Sequence, residues 1–68
     1  MATAELAVPT VHCTACRLNI EEALEDVAGV ARGVVDLDAK LVTVDYDRDA
    51  VDLPTITAAI EAAGYPVS

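Results

Sequence analysis

Leu6-Ala7-Val8-Pro9-Thr10-Val11-His12-Cys13-Thr14-Ala15-Cys16 is the stretch from which the rest of the chain can be read. Leu6 to Val11 reads as a strand: Leu6 and Val8 alternate with Glu5 and Ala7 at the period of a half-buried strand, and Pro9 and Thr10 close the alternation. Arg17 to Val27 reads as an amphipathic helix. Cys16, Ile20, Ala23, Leu24 and Val27 recur at helical spacing on one face, and Glu21, Glu22 and Glu25 fall on the other. Cys13 or Thr14 stands where the helix N-cap belongs, and Gly29 is a helix stop. The chain's only cysteines, Cys13 and Cys16, are thus expected on a loop at the mouth of a helix. Such a pair is either a soft-metal site or a redox site.

Further along, Val30 to Leu37 and Leu41 to Tyr46 are rich in β-branched residues. Val35 and Leu37 share one face of the first run. Val42, Val44 and Tyr46 share one face of the second, with Thr43, Asp45 and Asp47 toward water. Asp38-Ala39-Lys40 between them has hairpin length. The acidic stretch Asp47 to Asp52 reads as a loop, and Pro54 opens a second helix near its first turn. Ile56, Ala59, Ile60 and Ala63 form its apolar face, and Gly64 stops it. Tyr65-Pro66-Val67-Ser68 leaves room for a short closing strand, which Pro66 confines to an edge. The order is βαββαβ, an α+β arrangement of the ferredoxin-like type, with two helices on one face of an antiparallel sheet. Residues 1–68 are expected to form one domain.

A chain of 68 residues buries only about 60% of its unfolded surface, near the lower limit for folding alone. Its 54% apolar content, almost all aliphatic, compensates in part. A core this small leaves no room for the usual substrate cavity, which speaks against catalysis. Twelve acidic residues against four basic ones give a net charge of -8. That argues against nucleic acid as a partner, because phosphate recognition needs Lys and Arg. It also argues against an anionic membrane surface and fits a partner with a basic docking face, although acidity also simply keeps a small domain soluble. No apolar run reaches the ~18 residues of a membrane span. The start, Met-Ala-Thr-Ala-Glu, has no basic region followed by an apolar stretch, so no secretory signal is expected. The thiols are then expected in the reducing cytoplasm, where a stable disulfide is disfavoured; a bridge closing so short a loop would also stabilise little.

Two thiols with two residues between them can point to one spot and suit Cu(I), a soft ion that tolerates low coordination. The helix start donates partial positive charge, lowering thiol pKa values and steadying an anionic bis-thiolate complex. Arg17 either adds to this or is a solvated helix residue. Cys-x-x-Cys alone also occurs in zinc sites, oxidoreductases and haem attachment sites. A structural zinc site needs four protein ligands, whereas this chain has two Cys and one His in all. Haem attachment needs His where Arg17 stands. A thioredoxin-like protein needs a longer chain. The metal reading stands ahead of two thiols that are merely buried filler. His12 is a candidate third ligand or a bridge between two copies. The preferred reading is a solvent-facing loop residue, because alternation away from Cys13 points it outward. Tyr65 falls in a loop that this topology sets beside the thiols, where its ring could shield bound metal, cap the core, or both.

These features together resemble the heavy-metal-associated domain family: the βαββαβ order, the early Cys13-x-x-Cys16 before an amphipathic helix, and the closing Ala63-Gly64-Tyr65. The resemblance covers nearly the whole chain, with Val30, Val35, Leu37, Val42, Val44 and Tyr46 at the family's core positions. It implies that Cys13 and Cys16 bind Cu(I). Tyr65 matches the Tyr that bacterial chaperones often carry after the last Gly. The usual Gly-Met-Thr before the first Cys is replaced by Thr10-Val11-His12, which removes a flexible core anchor from the metal loop. Nothing here matches the acidic residue that often precedes the first Cys in zinc-exporting relatives. The resemblance implies a cytosolic Cu(I) chaperone rather than an enzyme, one that hands copper to the metal-binding domain of a copper-transporting P-type ATPase. A copper-bridged homodimer is a further expectation. An initiating Met and an end at Ser68 suggest a complete short protein, but an N-terminal domain excised from a copper (or, less in keeping, zinc) P-type ATPase would read the same way. A small thiol-disulfide redox protein is the alternative of another class.

Overall fold

The computed structural model describes residues 2–68. Its elements are β1 (Ala2–Ala7), α1 (Thr14–Glu25), β2 (Val30–Asp36), β3 (Leu41–Tyr46) and α2 (Leu53–Ala62). The strands form one antiparallel sheet in the order β1-β3-β2. The central strand carries the pattern read from the sequence, with Val42, Val44 and Tyr46 all buried on one face. Leu6 and Val35 flank Val42 in register. Cys16, Ile20 and Leu24 of α1 and Ile56 and Ile60 of α2 complete the core. At Val44 the neighbours in register are Ala4 and Gly33. A Cβ added at Gly33 would lie 2.5 Å from Leu24 Cδ1, so the missing side chain is what lets α1 pack close to β2.

The first strand lies earlier than Leu6 to Val11. Its register with β3 runs from Ala2↔Tyr46 to Ala7↔Leu41, where the partner strand ends. Beyond it the Val8 N–H donates to the Lys40 carbonyl and the Val11 N–H turns back to the Val8 carbonyl. Val8 and Val11 are fully buried all the same, as loop residues rather than strand residues. Helix α1 also begins earlier than Arg17, at Thr14, and ends at Glu25 rather than Val27. Cys13 is its N-cap, in extended backbone, and makes no side-chain cap bond. Gly29, at φ +96°, re-aims the chain into β2 after one further turn.

The hairpin loop takes in Leu37 as well, because β2 ends at Asp36. The Asp36 carboxylate accepts from the N–H groups of Asp38 and Ala39, and Lys40 adopts a positive φ of 56°. Helix α2 is capped by Asp52, whose carboxylate accepts from the Thr55 N–H at 3.1 Å, with Pro54 in its first turn. Tyr65–Ser68 forms no strand. Its one tie to β1 is the Ser68 N–H donating to the Ala7 carbonyl at 2.8 Å. Pro66 has no N–H to add a second rung. The fold is the ferredoxin-like α+β arrangement with its last strand reduced to an extended edge segment.

Candidate metal site

The site stands where β1 gives way to α1. Cys13 is half-buried at the N-cap and Cys16 lies one turn on, 7% exposed, with its side chain at the edge of the core. The helical turn brings the two sulfurs to 3.2 Å. That is well beyond the ~2.05 Å of a disulfide, and both thiols are free. Two metal–sulfur bonds of about 2.3 Å each would span about 4.6 Å in a line and about 4 Å at a trigonal centre. Loading therefore requires the sulfurs to separate by roughly an ångström. Cys13 is the half-buried N-cap, its carbonyl already accepting from the Arg17 N–H, whereas Cys16 lies within α1 and is buried.

The electrostatics favour a thiolate at Cys16. Its pKa falls from 9.0 to about 7, chiefly because the Tyr65 hydroxyl stabilises the ionised sulfur. Cys13 contributes next, and the backbone N–H groups of His12 and Cys13 add to it, against an opposing desolvation by burial. Tyr65 shows the reciprocal effect, its own ionisation pushed upward mainly by Cys16. The Tyr65 ring packs against the core while its hydroxyl faces the Cys16 sulfur. Asn19 Nδ2 donates to the Tyr65 hydroxyl oxygen at 3.1 Å, leaving the hydroxyl hydrogen free to point at sulfur. Asn19 was not singled out in the sequence. The signal it offers is its place one helical turn after Cys16.

His12 is exposed, as its place on the loop suggests, yet it does not point away from the thiols. Its ligand nitrogen and both sulfurs lie within 4.8 Å of one another, the one such cluster of His, Cys, Asp and Glu among the described residues. Nδ1 is 3.9 Å from Cys16 Sγ and 2.8 Å from the Thr10 carbonyl. A carbonyl only accepts, so Nδ1 is the donor in that bond. A metal bond through Nδ1 would need that hydrogen bond to break. Arg17 is half-buried rather than solvated, and its Nε is buried without a hydrogen-bond partner. Lys40 reaches the loop from the β2–β3 turn, its Nζ donating to the Val11 carbonyl at 2.8 Å. Sequence reading gave it no role.

An open groove of about 650 Å³ lies among Val27, Ala28, Arg48–Asp52 and Thr55. It is the kind of space the composition seemed to exclude, but it sits at the far end of α1, and α1's twelve residues span about 18 Å. The thiols do not open into it. No helix among the described residues is long and apolar enough to cross a membrane.

The heavy-metal-associated domain profile matches residues 5–66. A copper chaperone from Staphylococcus saprophyticus is 40% identical over 98% of this chain and 98% of its own length. The periplasmic component of a mercuric transport protein from Shewanella putrefaciens is 38% identical, covering 94% of this chain and 70% of that protein. Among solved structures, a copper-binding domain from a P-type ATPase superposes with a TM-score of 0.95 at 31% identity, covering 100% of this chain and 92% of that one. By name these relatives are a copper chaperone, a component of a mercuric transport system and a copper-binding domain.

Proposed function

The chain belongs to the heavy-metal-associated domain family, and from that membership and its thiol geometry we propose that it is a cytosolic Cu(I) chaperone serving a copper-transporting P-type ATPase. The observation that carries the reading is the convergence of Cys13 and Cys16, with sulfurs 3.2 Å apart and one thiol already poised near neutrality. Soft thiolates in low coordination select Cu(I) over Zn(II), which would lack a fourth protein ligand even if His12 joined the two thiolates. The copper chaperone and ATPase-domain likenesses support the choice of cargo and of partner.

Transfer runs by ligand exchange. A partner thiol loses its proton and adds to copper as a third ligand. Cys13, half-buried and at the end of its loop, leaves first and takes up a proton; a second partner thiol then loses its proton and adds to copper, and Cys16 leaves and is protonated in turn. Copper stays Cu(I) throughout, and one proton is released for each one gained. No step leaves the ion bare, so no step meets the cost of an unligated cation. A second copy could offer the third thiolate instead, which gives a copper-bridged homodimer with the exposed His12 at the junction.

A second reading has a specific observation behind it: the same backbone serves as a domain of a P-type ATPase. The site would then act as the receiver of the same exchange. Titration of the protein with Cu(I) against a competing chelator tests the cargo. The reading predicts one tightly held ion per monomer that is lost in Cys13→Ser and in Cys16→Ser. Full retention in either variant contradicts it. Addition of the isolated N-terminal domain of a copper ATPase tests the direction of transfer.

A further inference from the structure

We infer that Lys40, on the turn between β2 and β3, is a positioning residue for the thiol loop: its ammonium pins the Val11 carbonyl, so that the loop's movable part begins at His12. The inference rests on the metal-carrier reading for its consequence and on the geometry for its cause.

Two hydrogen bonds and a buried side chain meet at Val11. Its side chain is fully buried. Its N–H donates to the Val8 carbonyl at 3.1 Å, and its carbonyl accepts from Lys40 Nζ at 2.8 Å. The Lys40 main chain closes the same link from the other side, its carbonyl accepting from the Val8 N–H at 2.9 Å. One residue of the hairpin turn thus holds both ends of Val8–Val11. A cation donating to a carbonyl is among the stronger hydrogen bonds, and it costs the side chain its freedom in an otherwise exposed lysine.

The sulfurs must part by about an ångström on loading, set by metal–sulfur bonds of roughly 2.3 Å. If that movement spread back through Thr10 and Pro9, the bound state would carry a larger loss of loop entropy. With Val11 fixed, only His12 and Cys13 rearrange.

The turn conformation allows a clean test. Lys40 has φ +56°, a region that Asn tolerates. Lys40→Asn therefore keeps the turn while its side chain is too short to reach Val11; Lys40→Arg keeps charge and reach. In the metal-free protein, amide hydrogen exchange at Val11 should quicken about tenfold in Lys40→Asn and stay near wild type in Lys40→Arg, which should also restore any fall in melting point. In the copper-loaded protein, Cu(I) should pass to bicinchoninate about tenfold faster from Lys40→Asn alone. Exchange and transfer within twofold of wild type in Lys40→Asn overturn the assignment. So does a fall in melting point that accounts for both changes and that Lys40→Arg does not restore. The metal-free arm does not depend on the cargo: an altered Val11 exchange in a protein whose thiols hold no copper would uphold the clamp and remove the carrier reading instead.

Discussion

Removing only the Tyr65 hydroxyl should change the chemistry of Cys16 while leaving the fold in place. Tyr65→Phe keeps the ring that packs on the core and deletes the group with the largest share in lowering Cys16 from 9.0 to about 7. If the hydroxyl supplies about half of that depression, the thiol pair's first ionisation moves up to about 8. At pH 7 the ionised fraction then drops from roughly half to roughly a tenth. Copper requires the thiolate, so apparent Cu(I) affinity at pH 7 should weaken about fivefold, and the gap should close above pH ~9 where both variants are ionised. The sign for stability follows the same line. A thiol whose folded pKa lies below 9.0 contributes to apo stability in full above pH 9.0, and that contribution is lost as pH falls through about 7. Tyr65→Phe should flatten that dependence. The assay is the ultraviolet absorbance of the thiolate against pH on the reduced apo protein, paired with chelator competition at two pH values. A titration midpoint that does not move, or an affinity loss of equal size at pH 7 and pH 9, refutes the reasoning.

The remaining predictions concern packing, assembly and acid. Gly33→Ala would place a Cβ 2.5 Å from Leu24 Cδ1 and 3.3 Å from Leu24 Cβ, and should cost about 1–3 kcal/mol by overpacking. Thermal melting should register it as a fall of about 4–8 °C for each kcal/mol, with copper stoichiometry unchanged. His12→Ala should still bind one copper per monomer, since Nδ1 is held by the Thr10 carbonyl, but should weaken any copper-loaded dimer seen by sedimentation. Acidification through about pH 7 should begin to cost apparent copper affinity about a further tenfold per pH unit as Cys16 takes up its proton, read by chelator competition.

The two halves of the fold were unequally legible. Regular periodicity exposed both helices' buried faces, and the apolar alternation of Val42, Val44 and Tyr46 marked the central strand that receives them. The first strand was displaced in the reading because its true members, Ala2 and Ala4, are too small to register as a hydrophobic stripe, while Val8 and Val11 are buried in a loop and mimic one. The closing strand was over-read, since Pro66 leaves it a single rung. The thiol pair was visible at once from its spacing, and Tyr65 from topology. Lys40 and Asn19 were not, because their contacts cross 29 and 46 residues of chain and carry no local pattern. The outward placement expected of His12 was half right. Its ring is exposed, but the bond to Thr10, two residues back, folds it toward the sulfurs.

The most direct test of the central claim is X-ray absorption at the copper edge on protein loaded with less than one Cu(I) per monomer. The account predicts a first shell of sulfur, two neighbours supplied by Cys13 and Cys16, and loss of that signal in Cys13→Ser. A first shell dominated by nitrogen or oxygen, or an unaltered spectrum and affinity in Cys13→Ser, would contradict it.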